Sequence, residues 1–236
     1  MIQHGWINVD KPEGISSAQV VAIIKKLLKV KKVGHAGTLD PIATGVLPIA
    51  FGRATKTIQF VQNRDKEYVF TLKFGESTDT YDKEGKVVAT SVNYPSLDQI
   101  ESVLKSFIGK IKQIPPIYSA IKIKGKRAYD LARKGEEVSL HSREVNIQNI
   151  QIESYDKTKH EVTLKVLCGK GTYVRSLAHD LAKKLNSCGH VVMLRRTRVG
   201  MFDEKNIISL ENIKKIVHND WLGGAVLHAW KVLDDI

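Results

Sequence analysis

The sequence predicts an α+β protein, a mixed and largely antiparallel sheet with helices packed on it. Three observations lead there. Stretches of strand-like alternation interleave with stretches whose apolar residues share a helical face, without the regular spacing of strand–helix–strand units. Two long β-rich pieces, 143–155 and 160–168, run consecutively before the next helix. An apolar content of 42% over 236 residues suffices for a real core. No internal repeat and no low-complexity linker interrupts the chain, so a single domain over 1–236 is expected.

The elements follow in order. Residues 5–9 (GWINV) read as a short strand that stops at the turn DKPEG, where proline and glycine supply turn chemistry. Ser16 or Ser17 caps a helix with Val20, Ile23, Ile24, Leu27 and Leu28 on one face. A glycine- and proline-rich loop, VGHAGTLDPIATG, precedes a buried strand at 46–51 (VLPIAF), and ATKTIQFV reads as helical. In EYVFTLKF (67–74), Tyr68, Phe70, Leu72 and Phe74 alternate with Val69, Thr71 and Lys73, as in a strand with its more apolar face inward. The polar stretch GESTDTYDKEGK is expected to be exposed. Ser96 and Gln99 stand at capping-box spacing and open the helix SLDQIESVLKSFIG. After the two β-rich pieces come the helix TYVRSLAHDLAKKLN, a strand near HVVMLRRTRV, and a helix ISLENIKKIV capped by Ser209.

Lys and Arg outnumber Asp and Glu by 37 to 25, a net +12 with a pI near 9.6. Such an excess favours a polyanionic partner. It is also unevenly spread: residues 105–134 carry nine Lys/Arg against Asp130 alone, with Tyr118 and Tyr129 interleaved, and residues 165–198 carry eight against Asp180. Cations mixed with rings and glycines suit RNA phosphates and unstacked bases. Residues of about 108–135 are read as an RNA-clamping arm, in which PPIYSAIKIKGKRAYDLA, proline-started and glycine-punctuated, is able to close over a ligand. The N-terminus has no signal-peptide pattern and no run approaches a membrane span, so a cytoplasmic protein is expected. Cys168 and Cys188 lack CxxC spacing and read as free thiols; no histidine or cysteine cluster has ligand spacing, so no metal is called for.

Asp40 is the candidate reactive group. It is the only carboxylate between Glu13 and Asp65, among eight cations: Lys25, Lys26, Lys29, Lys31, Lys32, Arg53, Lys56 and Arg64. Asp-Pro is a common turn opener, and a carboxylate ionised in a basic field is also a nucleophile or base; the local pattern allows both. Gly34, Gly37 and Gly45 would let the backbone approach a bulky partner closely, while Pro41 and Pro48 stiffen the loop. A phosphate-cradling loop is excluded, because no GxxxxGK[ST] occurs and GRATK lacks the glycine–lysine pair.

Six ordered segments, KPEGISS, GHAGTLDPIATGVLPIAFGRATK, DKEYVFTLKFGESTDTYDKEG, PPIYSAIKIKGKRAYDLAR, GTYVRSLAHDLA and HVVMLRRTRVGMF, resemble the successive motifs of the bacterial tRNA pseudouridine-55 synthases of the TruB type. The match runs from about residue 5 to 235. It implies the pseudouridine synthase fold and a cofactor-free isomerisation of a uridine in the tRNA T loop, on a base flipped out of its stack. Asp40 matches the family aspartate that attacks C1′ of the ribose or C6 of the base, or assists glycal formation. Arg175 matches the arginine that pairs with it, and Tyr68 the ring that stacks on the flipped base near C5. Tyr173 and Leu194 match the pocket wall, His35 the histidine that enters the T loop, and Lys11 a lysine that supports the Asp40 loop. The resemblance implies the T stem-loop of tRNA as partner, with neither metal nor membrane, and a monomer is expected. Family members commonly continue into a small PUA-type RNA-binding domain beyond the point matching KVLDDI, where this chain stops, which puts acceptor-stem contacts in doubt. The rival from another class is a noncatalytic tRNA-binding or tRNA-folding protein that keeps the same loop and basic arm.

Overall fold

The chain enters its first strand, β1 (Gly5–Lys11), through a nearly continuous apolar run, and the turn that follows hands it to a helix with a built-in start signal. Ser16 Oγ accepts from Gln19 N at 3.2 Å while Gln19 Oε1 accepts from Ser16 N at 2.7 Å, a capping box that opens α1 (Ser17–Leu28). The helix buries Ser17, Val20 and Ile24 and ends on Lys29 in a left-handed conformation, φ 51°. A three-residue strand, β2 (Val33–His35), follows where a loop was expected. It pairs antiparallel with β3 (Thr44–Phe51), His35 opposite Ile49. β3 also pairs antiparallel with β1, from Gly5 opposite Phe51 to Lys11 opposite Gly45. Next, Gly52–Thr57 forms a 3-10 turn and Ile58–Gln62 the short helix α2, in place of one continuous helix. Thr55 and Thr57 hydroxyls donate to the Gly52 and Ala54 carbonyls, both at 2.8 Å, which favours the tighter winding.

The computed structural model describes residues 4–119, 121–123, 126–127, 140–218 and 226–227. They fall into two compact units, Met1–Val69 with Leu194–Ile236, and Phe70–Met193. The chain passes into the second unit within β4 (Lys66–Phe74), whose Tyr68, Phe70, Leu72 and Phe74 are buried as the alternation predicts.

In the second unit, β5 (Glu76–Thr78) and β6 (Val87–Thr90) form an antiparallel pair. The stretch between and around them is not uniformly exposed: Ser77, Thr78 and Asp82 are buried, because their polar groups are satisfied inside the protein. Helix α3 (Leu97–Leu104) opens on the expected Ser96–Gln99 capping box. Residues placed at the start of the basic arm form a regular strand instead, β7 (Gly109–Gln113), laddered with β10 (Arg143–Asp156) from Arg143 opposite Gln113 to Ile147 opposite Gly109. Two-residue strands β8 (Lys122–Ile123) and β9 (Lys126–Arg127) pair antiparallel; the rest of the expected arm, at 120, 124–125 and 128–135, lies outside the described residues. β10 and β11 (Glu161–Cys168) form the antiparallel pair that the two β-rich pieces foretold, and the order in this unit runs from β12 (Gly189–Val199) through β4, β11 and β10 to β7. Helix α4 (Val174–Lys184) buries seven residues, Leu177, Ala178, Leu181 and Ala182 among them.

The chain returns to the first unit within β12 (Gly189–Val199), whose Arg195 and Arg196 pair parallel with Thr44 and Gly45 of β3. β13 (Phe202–Asp203) folds back on β12, β14 (Ile208–Ser209) runs parallel to β1, and α5 (Leu210–His218) follows with Ser209 Oγ accepting from Asn212 N. Pairing is thus mixed and mainly antiparallel, as expected. Trp6 anchors this unit's core with Val46, Ala50, Val61, Val199 and Phe202, its ring 5.4 Å from that of Phe202.

Candidate active site

Asp40 sits partly exposed in the turn between β2 and β3, where Ala43 N donates to the Asp40 carbonyl at 3.0 Å. The turn is held on its first side by the end of β1. Lys11, fully buried, donates from Nζ to the carbonyls of Pro12 (2.8 Å), Ile15 (2.7 Å) and Pro41 (3.2 Å). Gly14 N donates to the same Pro41 carbonyl at 2.9 Å. Next to Asp40, Leu39 N donates to Ser17 Oγ at 2.8 Å and that hydroxyl donates back to Leu39 O at 3.0 Å, so the start of α1 fixes the residue before the carboxylate.

Arg196 holds the other side. Buried at 1% exposure, it donates from Nε to Val46 O at 2.8 Å and from Nη2 to Gly37 O at 3.1 Å. This explains two glycines differently from the sequence reading. A Cβ on Gly45 would lie 2.3 Å from Arg196 O, and Gly45 has φ +96°; a Cβ on Gly37, φ +105°, would lie 3.2 Å from Arg196 Nη1. The close approach these glycines permit is to β12. Arg196 also acts on His35. Burial, and then the Arg196 charge, push the His35 imidazole below its ordinary 6.5. His35 is a strand residue, and its buried Nδ1 has no hydrogen-bond partner among the described residues. Tyr68 lies on β4 and Leu194 on β12, both buried, with Thr44 Oγ1 donating to Leu194 O at 3.5 Å.

Tyr173 and Arg175 belong to the second unit, at the start of α4. Tyr173 is the N-cap residue, gripped through its backbone: its N–H donates to Gln113 Oε1 at 2.8 Å and Gln113 Nε2 donates to its carbonyl at 3.1 Å. The Arg143 guanidinium lies 4.8 Å from the centre of its ring and donates to Gly171 O at 2.8 Å. Arg175 is only 3% exposed. Nη1 donates to Thr80 O at 2.8 Å and lies 3.5 Å from Asp82 Oδ2, while Nη2 donates to Tyr118 O at 2.9 Å. Asp82 Oδ1 accepts from Thr80 Oγ1 at 2.6 Å and from Glu84 N at 3.0 Å. Ser176 Oγ donates to Ile114 O, so the strand end at 113–118 is stitched to the helix start at three points.

Sequence reasoning missed Asp82, Gln113, Arg143 and Arg196. Asp82 is one of four carboxylates between Glu76 and Glu84, and nothing local singles it out. Gln113 and Arg143 stand opposite one another on neighbouring strands, a pairing only the register creates. No group of His, Cys, Asp and Glu able to hold a metal occurs among the described residues, and none of their helices is long and apolar enough to cross a membrane.

The chain matches the model of the TruB family pseudouridylate synthase N-terminal domain over residues 25–174, and that of the tRNA pseudouridylate synthase B C-terminal domain over 175–227. It belongs to the TruB family of pseudouridylate synthases. Relatives of the family include tRNA pseudouridine synthase B of Nitrobacter winogradskyi, 49% identical over 99% of this chain and 66% of its own length. That of Ehrlichia chaffeensis is 48% identical over 99% of this chain and 79% of its own. The chain is also similar to a chain of a Cbf5–Nop10–Gar1 complex, with a TM-score of 0.79 and 31% identity over 99% of this chain and 63% of the other. A chain of an H/ACA RNP bound to a substrate RNA containing 2′-deoxyuridine gives a TM-score of 0.75 and 29% identity over 100% of this chain and 62% of the other. The expected pseudouridine synthase fold is therefore the one found.

Proposed function

We propose that this chain converts uridine to pseudouridine at position 55 in the T loop of tRNA, acting as a cytoplasmic monomer without metal or cofactor. The N1–C1′ bond of the nucleotide breaks, the uracil turns, and a C5–C1′ bond forms; the proton on C5 leaves and N1 is protonated. Asp40 supplies the carboxylate that opens the reaction, at C1′, at C6 or through a glycal. The observation that carries the reading is the setting of Asp40: the lone carboxylate of residues 14–64, on a partly exposed turn whose neighbours are locked by Lys11, Ser17 and Arg196. A backbone held this closely around one partly exposed carboxylate suits attack on a positioned substrate.

The remaining roles follow the family match residue by residue. Arg175 pairs with the Asp40 carboxylate, Tyr68 stacks on the flipped base, and Tyr173 and Leu194 wall the pocket. His35 enters the T loop to fill space the nucleotide leaves, since extrusion of a base costs a few kcal/mol; Lys11 supports the loop. The relatives named tRNA pseudouridine synthase B support tRNA as substrate, and the 2′-deoxyuridine in the substrate RNA of the H/ACA RNP supports uridine as the target nucleoside. The net +12 supports a polyanion.

Incubation of the protein with unmodified tRNA, followed by mapping of pseudouridine, tests the proposal. Pseudouridine is expected at position 55 with the parent protein and at no position with Asp40→Asn, while tRNA affinity stays nearly unchanged. Turnover by Asp40→Asn overturns the mechanism. Tight tRNA binding without turnover by the parent protein favours the noncatalytic tRNA-binding reading.

A further inference from the structure

Arg175 is not held by Asp82 alone, and the rest of its support lies one helical turn away. His179 stands four residues after Arg175 on α4, so the two side chains leave the same helix face. Both reach the β5–β6 connection. Arg175 takes the Thr80 carbonyl and the Asp82 carboxylate; His179 stacks on the ring between them, that of Tyr81, with ring centres 4.1 Å apart and planes 18° from parallel. Tyr81 has φ +61°, a left-handed conformation that is an outlier for so bulky a residue. That reversal lets residues 80 and 82 turn their acceptors onto one guanidinium. The backbone of Tyr81 is bonded on both sides, its N–H donating to Thr78 O at 3.2 Å and its carbonyl accepting from Val191 N at 3.0 Å. Ser77 Oγ lies 3.4 Å from His179 Nδ1, bringing a second residue of the hairpin onto the same imidazole.

We infer that the Tyr81–His179 stack is a positioning pair for Arg175: it holds the strained 80–82 turn against α4 so that Thr80 O and Asp82 fix the guanidinium. This rests on the proposed function, in which that guanidinium serves the Asp40 carboxylate. In this assignment both rings act through Arg175. An arginine whose 80–82 turn has relaxed keeps its bond to Tyr118 O, but its charge is no longer aimed, and misplacement of about 1 Å in a catalytic group is felt in the rate.

The test uses the full chain and unmodified tRNA under saturating and subsaturating conditions. Tyr81→Gly removes the ring while keeping a residue at ease with φ +61°, and His179→Ala removes the other half of the stack. Each is expected to lower kcat about tenfold with KM within about twofold of the parent, the double variant to be no slower than the worse single one, and Tyr81→Phe to restore the parent rate. The inference is overturned if either single variant keeps the parent kcat, or if the two losses multiply in the double variant. A readout independent of turnover accompanies it: the NMR resonance of the Arg175 side-chain Nε–H, assigned by its loss in Arg175→Lys. Tyr81→Gly is expected to speed its exchange with water, and unchanged exchange overturns the inference. A parent protein that makes no pseudouridine sinks the proposed function, while the exchange measurement still decides the positioning role.

Discussion

The Asp40 turn and the start of α4 both rest on buried cations, and they use them in opposite ways. Lys11 and Arg196 spend their donors on main-chain carbonyls, at Pro12, Ile15 and Pro41 on one side and at Gly37 and Val46 on the other. These bonds fix the path of a backbone, beside which burial, and then the Arg196 charge, lower the His35 imidazole. Arg175 instead meets a buried carboxylate, Asp82, along with carbonyls at Thr80 and Tyr118. Here the backbone serves the cation. The first arrangement shapes a loop so that an acid on it is presented; the second immobilises a base-strength charge so that it points one way. A cation that clamps carbonyls is replaceable only by another long donor, whereas a paired one depends equally on its partner.

The sharpest way to break this contrast is Lys11→Met, which keeps the apolar stem and removes the fully buried ammonium that donates to Pro12, Ile15 and Pro41. It is expected to cost about 4 kcal/mol, read from the denaturant midpoint. Asp82→Asn removes the negative partner of Arg175 and should cost about 3 kcal/mol by the same measurement, with Asp82→Ala at least as costly. If Asp82→Asn proves the costlier of the two, the carbonyl clamp is not the stronger device. Gly45→Ala places a methyl 2.3 Å from Arg196 O at φ +96° and should cost about 2 kcal/mol; a neutral result means β12 is not the neighbour that requires glycine.

A pH series sharpens the electrostatic half of the comparison. Burial and Arg196 lower His35, and burial and Lys183 lower His179, from 6.5. As pH falls through 6.5 the unfolded chain takes up protons that these folded imidazoles refuse, so stability is full above that pH and declines until the folded values are passed. Melting temperatures between pH 8 and 5 should fall on the acid side, and His35→Asn should flatten that decline. The smallest effect is expected of Arg143→Gln, which loses the cation over the Tyr173 ring and costs about 1 kcal/mol in the same melts.

Much of this was legible in the chain itself. Helix starts at Ser16 and Ser96 are local chemistry, decided by residues three apart, and both capping boxes form as read. The alternation in β4 and the long β-rich runs are likewise local and appear where expected. Asp40 could be singled out because charge contrast along a sequence survives folding. What failed to show was whatever depends on partners far along the chain. Residues 75–86 look like exposed polar loop because burial of Asp82 is caused by Arg175, ninety-three residues on; the short strand at Val33–His35 exists because β3 offers an edge to it. Glycines 37 and 45 announce a close approach in any sequence, but that the approaching group is Arg196 is settled by strand pairing. Local spacing carries propensity and patterning; the partners of buried charges are assigned by register and packing, which no window of neighbouring residues contains.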